Sequence, residues 1–373
     1  MLKRYQRILI TIFYIILIFF LIASLIMPDK KMSEQENRTL TQFPQLTTTS
    51  IINGHFFSQL DDYLSDQFLL RDQFMKLKVR VDKMEGKRES AGVYLGHKGY
   101  LLAKNETPNT KALNNSIKAI NTFSSSHDNI SMMIIPSSAT INPALLPFGA
   151  PMRDGIKDIN NFTKQLQKVQ VIDSAKGLMK YKHDYLYYKT DHHWTTYGAY
   201  REFQSVAHQL GIEKPITKYK KYLVTDSFEG TLASESGDHT HSDEIYVYEP
   251  STKVKYYVNY VAENKKTTSL YEIQQLKTKD QYTLFQGGNH PVVEINTTNN
   301  NHKNLLIFKD SYANSFVPFL YPYYQRIIMV DPRYYNDDIN KLIENYDINQ
   351  YLFLYSANTI MKDTSLSDLL NSN

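Results

Sequence analysis

Three short runs in this sequence bring together side chains that can move protons or attack an electrophile. In Lys189-Thr190-Asp191-His192-His193-Trp194-Thr195-Thr196, Asp191 precedes His193 by two residues. In an extended segment that spacing puts both side chains on one side, so the carboxylate can accept from one imidazole nitrogen and leave the other free as a base. A helix-capping Asp beside two packed histidines fits the same letters. The run LLIFKDSYANSF, 305 to 316, is an apolar strand-like stretch, then Lys309-Asp310-Ser311, then a helical continuation. A Ser at the carboxyl end of a strand in an open α/β sheet lies where such folds hold ligands, and its N–H at a helix start can face an oxyanion. A Ser that only caps the helix satisfies this pattern too. Two later strand-like runs end in Asp331-Pro332-Arg333 and Ser356-Ala357-Asn358. Arg333 and Asn358 are there candidate donors to a developing negative charge, against the commoner fates of a surface ion pair and a helix cap. Trp194, beside His193, is the aromatic candidate for a substrate contact.

Two other runs have a plainer reading. Asp238-His239-Thr240-His241 has the close His and carboxylate spacing of a zinc site, but its setting in SESGDHTHSDE reads as a solvated loop. Gln286-Gly287-Gly288-Asn289-His290 reads as a turn between two strands. No metal and no cofactor is expected.

These residues need a frame to hold them. Short β-branched and Leu-rich runs at 130–136, 169–173, 305–308, 326–331 and 351–355 have the look of strands buried on both faces. Helical patterns fall between them, at 109–126 and 155–169, and another is expected from about Thr195, with Thr195 or Thr196 as its cap. Together they predict an α/β fold with a largely parallel sheet flanked by helices. Segments between about 218 and 296 alternate apolar and polar at period two and are read as a β-rich insertion. From His55 to Glu85, Phe57, Leu60, Leu64, Phe68, Phe74, Leu77, Val81 and Met84 recur at helical spacing, which predicts one or two amphipathic helices.

The first residues place the chain at a membrane. Ile8 to Met27 is twenty residues without a charge, long enough to span a bilayer as a helix. Lys3, Arg4 and Arg7 precede it, so the positive-inside tendency leaves residues 1–28 as cytoplasmic tail and transmembrane anchor and puts the rest of the chain outside the cell membrane. A cleaved signal peptide is the alternative, but the run is long for one and Leu25-Ile26-Met27-Pro28 lacks a small-x-small cleavage site. Residues 29–53 read as a polar stalk and 54–373 as the globular domain. Those three basic leader residues account for most of the formal charge of +4, which leaves no basic footprint for nucleic acid. The absence of Cys excludes disulfides, thiolate metal sites and a Cys nucleophile. Aromatic residues at 13%, with 29 Tyr, suit stacking on sugars, although such rings serve cores more often.

Asp191-His192-His193-Trp194 resembles the signature of the DHHW protein family, and the layout is similar to the alginate O-acetyltransferase proteins, whose fold is SGNH-hydrolase-like. Glu36-Asn37-Arg38, Phe68-x-x-Arg71-Asp72 and Lys309-Asp310-Ser311 extend the likeness along nearly the whole chain. The resemblance implies Ser311 as nucleophile, His193 as general base and Asp191 as its orienter. It also implies a permuted motif order, since SGNH enzymes usually place Ser first, and it casts Asn358 as the oxyanion Asn. The usual Gly-Asp-Ser reads Lys309-Asp310-Ser311 here.

The activity so implied is serine O-acyl transfer, most simply O-acetylation of a cell-surface or exported polysaccharide. An outward-facing transferase has no cytosolic acyl donor, so the resemblance also implies a multi-spanning membrane acyltransferase as partner. A deacetylating esterase of the same fold and a non-catalytic polysaccharide-binding protein of the envelope are the alternatives.

Overall fold

The computed structural model describes residues 2–33, 35, 36 and 38–372, the side chains of residues 2, 3 and 25 excepted. Asn37, part of one motif above, lies outside the described residues, as do the side chains of Lys3 and Leu25. The chain divides into two compact units, residues 1–87 with 234–239 and residues 88–233 with 240–373.

In the smaller unit, helix α1 (Leu2–Ile26) is long and apolar enough to cross a membrane. Helices α2 (His55–Asp66) and α3 (Arg71–Met84) realise the amphipathic pattern as two elements, broken where Leu70 takes a left-handed conformation with φ 58°. The polar stretch after α1 is tied down and is not a free stalk. The guanidinium of Arg38 and the N–H of Thr41 both bond the buried Asp66 carboxylate, and Arg71 pairs with Glu36 at 2.7 Å. Two motifs read separately in the sequence, around Glu36 and around Arg71, therefore form one ion-paired cluster.

In the larger unit the principal sheet has eight strands. In chain order its strands are β1 (Ile130–Ile135), β2 (Gln170–Ile172), β3 (Tyr256–Tyr260), β4 (Lys265–Thr267), β5 (Val292–Thr297), β6 (Asn304–Lys309), β7 (Arg326–Val330) and β8 (Gln350–Ser356). Their spatial order is β4-β3-β5-β7-β6-β8-β1-β2. The five strands from β7 to β2 run parallel, and β5, β3 and β4 extend the sheet antiparallel. The parallel part matches the five strand-like runs of the sequence. Alternate residues of these strands enter different cores. Leu305, Ile307, Leu352 and Leu354 pack with Trp194, Phe203 and Phe316, while Leu306, Phe308 and Phe353 pack with Ile120 and Phe123. Burial on both faces is why these strands read as continuous apolar runs. The segment read as a β-rich insertion is shared out. Tyr219–Phe228 and Asp243–Pro250 form a separate hairpin, and the remaining strands become β3, β4 and β5 of the principal sheet. The expected helix over 155–169 is shorter, Gly155–Thr163.

Helix α4 (Thr196–Val206) starts as expected, with Thr195 Oγ1 accepting from the Gly198 N–H at 3.0 Å. Its Glu202 is fully buried, and burial pushes the carboxyl up to about 8. A carboxyl whose pKa rises on folding contributes stability below its unfolded value and loses it as pH climbs toward the folded value. Between pH 5 and pH 8 the wild type should therefore lose roughly 3 kcal/mol relative to Glu202→Gln. Urea denaturation of both proteins at the two pH values measures the difference.

Candidate active site

Ser311, Arg333 and Asn358 follow the carboxyl ends of β6, β7 and β8, three adjacent parallel strands at the centre of the sheet. An open α/β sheet places its ligand crevice at such strand ends. Ser311 is the residue before helix α5 (Tyr312–Leu320), but its hydroxyl is directed elsewhere. The cap is Asp310, whose carboxylate accepts from the Tyr312 N–H at 3.0 Å and from the Ser356 N–H at 2.8 Å. This ties the β6 turn to the start of the next strand's turn and frees the Ser311 side chain. Lys309, where a glycine is usual, needs no left-handed backbone. Its side chain runs into the core, where the ammonium meets Asn289 and Asn314 at 3.0 Å each and Asp331 at 3.3 Å. Burial pushes that ammonium down, and Asp331 works against the shift. The Gly287-Gly288 turn is a turn, with both glycines at positive φ, and it also delivers Asn289 to this buried lysine.

Asp191 and His193 arrive on a tight loop closed by a bridge between Tyr187 and Trp194. The loop is clamped by Asp243, whose carboxylate accepts from the N–H groups of Lys189 and Thr190 at 2.8 and 2.7 Å, the Thr190 hydroxyl at 2.6 Å and the Tyr185 hydroxyl. Asp191 Oδ1 accepts from the His193 N–H at 2.8 Å and faces His193 Nδ1 at 2.5 Å. Its Oδ2 accepts from the Thr231 N–H at 2.9 Å and the Thr231 hydroxyl at 3.1 Å. Gly230 makes this approach feasible, because a Cβ there would lie 2.2 Å from the Asp191 Cβ. On the other side of the ring, His193 Nε2 meets Ser311 Oγ at 2.7 Å. The imidazole is held between the Tyr282 ring, parallel at 3.8 Å, and the His192 ring at 3.9 Å.

Asp191, His193 and Ser311, which lie 118 residues or more apart at the serine, thus form one continuous hydrogen-bonded series. Burial and the neighbouring His192 push the His193 pKa down, with Asp191 opposing. Burial penalises the Asp191 charge, but the two histidines and the Thr231 N–H outweigh it and hold the carboxylate well below its usual range. At neutral pH the pair is therefore carboxylate beside neutral imidazole, the state in which Nε2 can take a proton from a hydroxyl. Asp191, His192 and His193 also stand close enough to share a cation. Both His193 nitrogens are already engaged, however, one by Asp191 and the other by Ser311.

An open cleft of about 460 Å³ leads to Ser311, lined also by His192, Arg333, Asn358 and Lys362. The other sequence candidates fare differently. Arg333 reaches the cleft, with Nε and Nη2 held by Asp331 at 2.8 and 2.6 Å. Asn358 lines the cleft while its amide bonds the backbone of Lys104 and Glu106, each at 3.1 Å. Trp194 is not a substrate contact. Its side chain is fully buried, stacks on Phe316 and donates from Nε1 to the Tyr312 carbonyl and Ser315 Oγ. It is a core anchor that fixes the His193 loop to helix α5. In the Asp238 run, Asp238 pairs with Lys83 and His241 Nδ1 meets the Thr240 hydroxyl, so two of its candidate ligand groups already have protein partners. Sequence reasoning missed Gly230, Thr231, Asp243 and Tyr282, which reach the site only through long-range packing.

A search of curated proteins finds no match. Among solved structures, a DHHW family protein from Eubacterium siraeum superposes with a TM-score of 0.65 at 23% identity, over 76% of this chain and 96% of that one. Bacillus cereus PatB1 with a sulfonyl adduct gives 0.60 at 21% identity, over 73% and 98%. The O-acetyltransferase domain of Pseudomonas putida AlgJ gives 0.46 at 14% identity, over 76% and 99%. The first two share this chain's fold over about three quarters of its length, so the expected fold class is borne out. The model of the DHHW protein family matches residues 159–330, the stretch that holds Asp191, His193 and Ser311, and over that stretch the chain is similar to the family.

Proposed function

We propose that this chain is a membrane-anchored, outward-facing serine O-acyltransferase acting on a cell-surface or exported polysaccharide. The observation that carries the reading is the series Asp191, His193, Ser311, with a neutral imidazole in contact with the serine hydroxyl. PatB1 with its sulfonyl adduct adds support, since a sulfonyl group attaches to a nucleophile and that protein has the same fold.

In this mechanism Ser311 Oγ attacks the acyl carbonyl carbon as its proton passes to His193 Nε2. The tetrahedral oxyanion is held by the Ser311 N–H at the head of α5 and by the Arg333 guanidinium. Collapse expels the leaving group, which takes the proton from His193, and leaves an acyl-serine. A sugar hydroxyl then gives its proton to His193 and attacks the ester, and Ser311 departs with the proton restored. The acyl donor is handed on by a multi-spanning membrane acyltransferase, because the cytosolic pool lies across the bilayer. Water in place of the sugar makes the same steps an esterase reaction.

Intact mass after brief exposure of the full chain to an activated acetyl ester tests the acyl-enzyme. Added acetyl mass that persists until a sugar acceptor is supplied supports transfer. Mass that decays in water alone favours the esterase, and no added mass with the ester left intact overturns the serine mechanism.

The pH dependence is set by His193. Since only its neutral form accepts the proton and its pKa is lowered, acylation at pH 6.5 should exceed half of its plateau and be lost as pH drops through the depressed value. His192→Gln removes one cause of that depression, so it should move the acid limb upward in a pH–rate profile.

A further inference from the structure

The smaller unit has an apolar surface that the chemistry above does not use. Helix α3 buries Val79 and Asp82 on one side. Along its other side Phe74, Leu77, Val81 and Met84 recur every three or four residues and all are exposed, Met84 at 88%. Helix α2 repeats the arrangement, with Tyr63 and Asp66 inward and Phe57 and Leu64 exposed. Contiguous apolar rows of this size on a protein surface mark contact with a partner or a membrane.

Two contacts say which. Phe68 stacks on Phe20 of α1 at 5.6 Å and Phe74 meets the same ring edge-on at 5.8 Å. Beside them the Leu69 N–H donates to Ser24 Oγ at 3.0 Å. Phe20 stands four residues inside the end of the membrane-length run Arg4–Ser24, about 6 Å along the helix axis. If α1 crosses a bilayer, rings packed on Phe20 sit at the depth of that bilayer's outer boundary. The row on α3 starts from these rings. The charges agree with this placement. Helix α3 carries Arg71, Lys76, Lys78, Arg80 and Lys83 beside Asp72 and Asp82, and of these Arg71 pairs with Glu36, Lys78 with Asp82 and Lys83 with Asp238. At 100° per residue Lys78 and Arg80 flank the apolar row on opposite sides, where their stems can lie on lipid and their charges reach headgroups.

We propose that α2 and α3 lie in the headgroup–acyl boundary of the bilayer that α1 crosses, with Phe57, Leu64, Phe74, Leu77, Val81 and Met84 toward the acyl chains. The proposal rests on α1 being a membrane anchor. Anchor and interfacial helices together would fix the smaller unit by two independent attachments.

The chain has no Cys, so single cysteines report without background. The full chain carrying Ile16→Cys, Leu77→Cys, Met84→Cys or Asp62→Cys is labelled with an environment-sensitive fluorophore. It is then reconstituted in phosphatidylcholine vesicles. The expected result is blue-shifted emission at positions 16, 77 and 84, quenched by nitroxide lipid and not by iodide, and the reverse at 62. Lipid quenching at 16 with iodide quenching at 77 and 84 overturns the proposal and keeps the anchor. Shielding of 77 and 84 from both quenchers overturns it in favour of a second copy covering the row. Iodide quenching at 16 overturns the anchor reading itself.

Discussion

Replacing Ser311 with alanine should lower acyl-enzyme formation by roughly 10⁴-fold or more, the loss typical when a nucleophile is removed from a set of groups that act as a unit. The hydroxyl stands 2.7 Å from His193 Nε2, and its removal leaves the base without a proton to take. The fold should be nearly unaffected, because the cap of α5 is made by Asp310 and not by Ser311. Burst kinetics with an activated acetyl ester, together with thermal midpoints, separate the two effects. A full burst in the alanine variant would remove Ser311 from the mechanism.

Asp191→Asn should cost about 10⁴-fold in turnover, the order seen when a triad carboxylate becomes an amide. Each carboxylate oxygen of Asp191 accepts from two groups, His193 N–H and ring on one side and Thr231 N–H and hydroxyl on the other. An amide can present an oxygen to only one of those sides. Turned toward Thr231, its NH₂ faces His193 Nδ1 and drives the proton to Nε2, the nitrogen that must accept from Ser311. Turned toward His193, its NH₂ meets a backbone donor in a site where Gly230 leaves no room to shift. The pH–rate profile distinguishes this from simple loss of structure. The wrong tautomer lowers the plateau of the profile, whereas a misfolded protein loses its thermal transition.

Much of this was legible in the chain itself. Local patterns named the five central strands, since β-branched and Leu-rich runs of that length pack on both faces only in a covered sheet. The spacing of Asp191 and His193, and a Ser at the end of a strand, identified the three residues later found in series. What local pattern could not supply was anything set by residues far apart in sequence. Trp194 looked available because it adjoins His193, yet on a loop adjacent side chains point different ways, and this one enters the core under α5. Arg38 and Glu36 looked like stalk residues, and only the fold of α2 and α3 brings Asp66 and Arg71 to them.

The sequence by itself determined the residue types able to do the chemistry, the strand and helix periods, and a leader apolar enough to span a bilayer. The tertiary structure decided which candidates meet. It brought Thr231 and Gly230 against Asp191, Tyr282 onto His193 and Asp243 beneath the loop, and it turned the strands at 256–260 and 292–297 from an insertion into part of the sheet. The physical reason is that periodicity reports which face of an element is buried. It carries no information on which partner covers that face, and a carboxylate's hydrogen bonds are chosen by whatever backbone the fold delivers to it.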